Sequence, residues 1–64
     1  MSTIRLWFEY SERGLVSWRM QAESATHVRE LFSGDPFFID AHAEGEKPSP
    51  AVQTYLTYYG KETE

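Results

Sequence analysis

The chain contains no cysteine, so it has neither a disulfide framework nor a thiolate zinc site to supplement a hydrophobic core. No apolar run approaches membrane-spanning length, which leaves no hydropathy signal for a transmembrane helix. Met1-Ser2-Thr3 leads straight into a strand pattern without a basic and apolar leader, so a signal peptide is not expected and a soluble, cytoplasmic protein is. The glycines, Gly14, Gly34, Gly45 and Gly60, are dispersed at turn positions and never take a phosphate-cradling spacing. Basic residues number six against ten acidic, so the positive footprint of direct nucleic-acid binding is missing. No nucleophile elbow or glycine-rich oxyanion loop accompanies the hydroxyl side chains. The expectation is a non-enzymatic chain with no catalytic residues and no cofactor.

Sixty-four residues allow one small domain, 1–64, near the lower limit for a core without staples. An aromatic content of 16% helps, because each buried ring contributes more area per ordered residue than an aliphatic side chain.

The clearest local signal lies in residues 4–22. A three-residue loop at Glu12-Arg13-Gly14, with Gly14 left-handed, sets Ile4 opposite Ala22, Leu6 opposite Met20, Phe8 opposite Trp18 and Tyr10 opposite Val16. All eight then share one core face. The other face carries Arg5, Trp7, Glu9, Ser17, Arg19 and Gln21 and reads as mixed and wet, with Trp7 stacked over Arg19 or marking a contact surface.

Residues 24–33 predict a short helix. Ser24 or Thr26 is the N-cap, Val28, Leu31 and Phe32 form the stripe, Gly34 takes the C′ position and Asp35-Pro36 stops it. Residues 37–44 alternate as a third strand beside the first and antiparallel to it, with Phe37, Ile39, Ala41 and Ala43 under the helix and Phe38, Asp40, His42 and Glu44 outward. Residues 45–50 connect.

Residues 51–59 carry two messages. Ser49, Pro50 and Gly60 punctuate a helix, whereas Thr54, Tyr55, Thr57, Tyr58 and Tyr59 favour a strand. A fourth strand would cover the open edge of the third, so strand is favoured over helix. The expected fold is α+β, ββαββ: an antiparallel sheet with one helix packed on one face, and residues 61–64 as a fraying tail.

Chemistry-bearing constellations are sparse. Asp40-x-His42-x-Glu44 puts three possible ligands on one strand face, but any solvent-facing polar strand gives the same pattern, and no metal is expected. Trp7, Phe38 and Tyr55 suggest a base-stacking platform, which Asp40 and Glu44 on the same surface oppose. The acidic set Glu30, Asp35, Asp40, Glu44 and Glu46 remains. It reflects a charge asymmetry: residues 1–29 hold four arginines against three glutamates, and residues 30–64 hold seven acids against two lysines. Carboxylates so placed suit a partner whose arginines and lysines are spaced for phosphates.

The size, the acidic second half and the absence of motifs together resemble the small phage-encoded host-takeover proteins, anti-CRISPR inhibitors among them. The resemblance is one of profile and transfers no residue roles. It implies an inhibitor of a host nucleic-acid-processing complex; the charge asymmetry, read from the residues alone, makes Glu30, Asp35, Asp40, Glu44 and Glu46, with Trp7 and Phe38, the expected contact of a monomer that fills a basic groove as a DNA mimic. The other class is a small assembly module that uses Trp7 and Phe38 as an apolar contact.

Overall fold

The computed structural model describes residues 1–10, 12 and 14–59. Three strands and two helices follow in the order β1 (Ser2–Tyr10), β2 (Gly14–Ala22), α1 (Ala25–Leu31), β3 (Phe38–Ala43) and α2 (Pro50–Tyr59). The sheet is antiparallel with β1 in the centre, order β2-β1-β3. The α+β class and the placement of β3 beside β1 are as the sequence predicts. Among the described residues no helix is long and apolar enough to cross a membrane.

The hairpin forms with Gly14 at φ +76°, a conformation that glycine adopts without strain. Its register differs from the sequence reading by two residues: Ile4 pairs with Met20, Leu6 with Trp18, Phe8 with Val16 and Tyr10 with Gly14. A shift of two keeps every side chain on its face, so the even-numbered core is preserved. Ile4, Leu6, Phe8, Ala22, Val28 and Ala41 form it. Trp18 is the exception. It is 51% exposed, because it lies on edge strand β2, away from the line along which α1 packs.

α1 starts as its cap dictates, with the Ser24 hydroxyl accepting from the His27 N–H at 3.1 Å. Val28 is fully buried and Phe32 meets Phe8 edge-on, but Leu31 is exposed. The helix ends at Phe32, where the Ser33 N–H reaches back to the Glu30 carbonyl. Gly34 does not take the expected left-handed conformation, since only Gly14 and Gly45 have positive φ among the described residues. A tightened last turn has replaced the glycine cap.

The strand expected at 51–59 is a helix. Punctuation outweighs β-propensity here: Pro50 opens the first turn, the Gln53 N–H donates to the Ser49 carbonyl at 2.9 Å, and the Thr54 and Thr57 hydroxyls bond back to the Pro50 and Gln53 carbonyls. The expected cap at Gly60, residue Arg13 of the turn and the 61–64 tail lie outside the described residues.

That helix changes the architecture, because α2 covers the sheet face that the sequence reading left wet. A second core forms from Trp7, Leu15 and Val52, with Ile39, Tyr55, Leu56 and Tyr59 packed around it. The sheet is therefore sandwiched between two helices. β3 adapts to both faces through a bulge: Trp7 pairs with Asp40 and the next residue, Phe8, with Phe38. Ile39, the extra residue, turns toward α2, and Phe38 turns to Phe8 and Phe32 under α1. Uninterrupted alternation predicts the reverse, with Phe37 and Ile39 under α1; Phe37 is instead 47% exposed.

Candidate interaction surface

The odd-numbered sheet face is organised by Arg5. Its guanidinium donates to both carboxylate oxygens of Glu44 at 3.1 and 3.2 Å and to the buried Ser17 hydroxyl at 2.7 Å, tying β1 to β2 and to the turn after β3. It also lies 5.9 Å from the Trp7 ring centroid, so Arg5 takes the cation–π place expected of Arg19, because the shifted register sets Ser17 opposite Trp7 in the ladder. Arg19 adds a looser pair to Glu44 at 3.9 Å. The hydrogen bond from Arg5, reinforced by both guanidinium charges, holds the Glu44 carboxyl below its usual range against an opposing desolvation.

Trp7 is not a surface residue. It is 2% exposed, and its indole N–H donates to His42 Nε2 at 2.9 Å. The other ring nitrogen of His42 lies 2.8 Å from the Ala43 carbonyl. A carbonyl only accepts, so Nδ1 carries the proton and Nε2 is free to accept: the partners select the neutral Nδ1–H tautomer. His42 is thus a buried structural link. Among the described residues no group of three or more His, Asp or Glu is placed to hold a metal ion. Phe38, the other expected contact aromatic, packs into the α1 core.

The acidic set falls along β3 and its flanks, where most members are engaged within the chain. Asp40 accepts from Arg29 Nε at 2.6 Å and from the Ala41 N–H at 2.8 Å. Burial pushes its carboxyl up, but these hydrogen bonds and the Arg29 charge outweigh that and leave it below the usual value. Asp35 closes a turn by accepting from the Phe37 N–H at 2.8 Å. Glu46 accepts from the Ala43 N–H at 3.2 Å. Glu30 is exposed on α1.

Together these bonds seal the β3 edge. The Glu44 N–H donates inward to the Thr3 carbonyl, so by strand alternation the backbone groups of Ala41 and Ala43 point away from β1. Asp40 takes the Ala41 N–H, Arg29 donates to the Ala41 carbonyl at 2.9 Å, Glu46 takes the Ala43 N–H, and the Glu46 N–H donates to the Ala43 carbonyl at 3.0 Å. The fourth strand expected to cover this edge is replaced by side chains.

Sequence reasoning missed an apolar flank on the α1 side. Trp18 and Leu31 are exposed there, and Phe37 lies against Tyr10 with ring centroids 5.2 Å apart. Helical rotation places Leu31 on the side of α1 opposite Arg29, which reaches β3; Leu31 therefore looks toward β2, the strand that carries Trp18. The signal in the sequence was the brevity of the helix predicted over 24–33, which the structure shortens further to seven residues, too few to roof three strands. Comparison with protein-family models, curated proteins and solved structures finds no match.

Proposed function

We propose that this chain is a non-enzymatic protein-binding module whose contact is the flank formed by Trp18, Leu31 and Phe37. The observation that carries the reading is their exposure in a chain that fully buries residues as small as Val28 and Val52. Large apolar side chains left exposed on the same side of the sheet in a small domain are candidates for binding surfaces, and tryptophan is prominent among residues that anchor interfaces. The non-enzymatic part is supported by the occupation of the chemically capable groups: His42 links Trp7 to Ala43, and Asp40 and Glu44 are held by arginines.

A second reading is the acidic inhibitor, a phage-type protein that fills the basic groove of a host nucleic-acid-processing complex as a DNA mimic. The net charge of -4 and the exposure of Glu30, Glu44 and Glu46 favour it. Neutralisation of Asp40 and Glu44 by Arg29, Arg5 and Arg19 weighs against it, because a phosphate mimic needs carboxylates that are open to the partner's cations.

Site-specific photo-crosslinking in the cells that encode the chain separates the two. A photoreactive residue at position 18 is expected to give a discrete adduct that disappears with Leu31→Asp, whereas one at position 46 gives none. Adducts from position 46 alone, lost as salt is raised, would overturn the apolar flank and favour the acidic surface.

A further inference from the structure

The opposite face of the sheet, between α2 and the end of β1, carries a second site. Glu9, Thr54, Tyr55, Tyr58 and Tyr59 line an open cleft of about 440 Å3. The Tyr59 hydroxyl donates to Glu9 Oε2 at 2.5 Å, and its ring lies over Gly14, where an added Cβ would come within 3.3 Å. Tyr59 is therefore fixed from both ends. Tyr58 meets it edge-on at 86°, with centroids 5.0 Å apart, and Tyr55 lies nearly parallel to it at 10° and 6.4 Å. These lining residues supply three π systems and one carboxylate, with no cationic side chain among them.

We infer that this cleft binds an organic cation, specifically the guanidinium of an arginine side chain presented by a partner protein. The inference does not rest on the flank proposed above. Aromatic faces carry negative quadrupole potential and attract cations within about 6 Å of the ring centre, and the Glu9 carboxylate adds a formal charge of the same sign. Tyr59 occupies Oε2, and no donor to Oε1 is seen among the described residues, which makes it the carboxylate acceptor open to a ligand. That stoichiometry selects among cations. A lysine ammonium is strongly hydrated and brings three donors to a site with one strong acceptor. A quaternary ammonium brings none and would desolvate Oε1 without compensation. A guanidinium is weakly hydrated, stacks flat on a ring and spends one N–H on Oε1 while its other edge stays in water.

The test uses the full chain, labelled with nitrogen-15, and four probes: N-acetyl-arginine amide, its neutral isostere N-acetyl-citrulline amide, N-acetyl-lysine amide and tetramethylammonium. Arginine amide is expected to give saturable amide shifts confined to Glu9 and the 54–59 turns, with citrulline amide at least tenfold weaker and the other two cations several-fold weaker, as loss of a charge-assisted bond implies. Glu9→Gln retains an acceptor for Tyr59 and removes the charge; Tyr58→Ala removes one exposed ring. Each should weaken arginine binding about threefold or more. Equal shifts with citrulline, equal or tighter binding of tetramethylammonium or lysine amide, or no saturable shift would overturn the assignment in the unaltered chain alone. Unchanged affinity in Glu9→Gln would overturn the role of the carboxylate.

Discussion

Replacing each tryptophan by phenylalanine reads out the two-sided core directly. In Trp7→Phe the indole N–H is lost and His42 Nε2, in a residue only 8% exposed, keeps its lone pair without a donor. An orphaned buried acceptor costs about 1–3 kcal/mol. The smaller ring gives up roughly 50 Å2 of buried apolar area, about 1 kcal/mol, before any cavity term. The expected loss is therefore about 2–4 kcal/mol, against roughly 3–10 kcal/mol for a domain of 64 residues. Trp18→Phe changes a half-exposed ring, and should cost under about 1 kcal/mol. Urea unfolding followed by far-ultraviolet circular dichroism measures both without relying on tryptophan emission. Adding His42→Leu to Trp7→Phe removes the orphaned acceptor, so the pair should cost about 1–2 kcal/mol less than the sum of the singles. If Trp18→Phe proves the more damaging substitution, the assignment of Trp7 to the interior and Trp18 to the surface is wrong.

Val52 is fully buried under α2, so Val52→Asp should undock that helix and move Trp7 emission to longer wavelength; unshifted emission would mean that α2 does not shield the indole. The Asp40 carboxyl titrates below its usual value of 3.8 in the folded chain, so its contribution is present above that value and is lost as pH falls through the lower folded one. Arg29→Met should flatten this part of the acid limb of a stability–pH profile, leaving the Glu44 part in place. The Tyr59 phenol is pushed up to about 12 by its hydrogen bond to Glu9, with burial and the Glu9 charge acting in the same direction. Its contribution should hold up to pH 10 and fade from there to about 12, which the alkaline limb of the stability–pH profile reads. Glu9→Ala should bring the Tyr59 phenol back toward its ordinary value of 10 and remove that limb.

The local signals in the sequence translate well where one physical cause dominates. Gly14 requires a turn, Ser24 caps α1, and the alternation in β1 commits Ile4, Leu6 and Phe8 to one face; all three stand in the structure. The misreading at 51–59 arose where causes competed. β-branched and aromatic side chains argued for a strand, and the Ser49-Pro50 start overrode them. Everything that depended on that choice moved with it: Trp7 went inside, His42 became its acceptor, and the open face closed. Alternation reports which residues share a face. It does not report how many faces are covered. Leu15, an apolar residue in phase with Trp7, was the available sign of a second core. The bulge at Ile39 had no comparable sign, because it reconciles packing on two sides of a strand whose own residues alternate without interruption.

The sealed edge of β3 bears on how this molecule behaves in a crowd. A sheet with two open edges can pass its hydrogen-bond ladder from copy to copy indefinitely, which is how filaments start. With the outward groups of Ala41 and Ala43 already taken by Asp40, Arg29 and Glu46, this sheet can be extended on one side at most. Any strand-to-strand association then ends at a pair. Residues that look like a charged recognition surface thus act as a chain terminator for assembly, and Asp40→Ala with Glu46→Ala would be expected to aggregate while folding much as before.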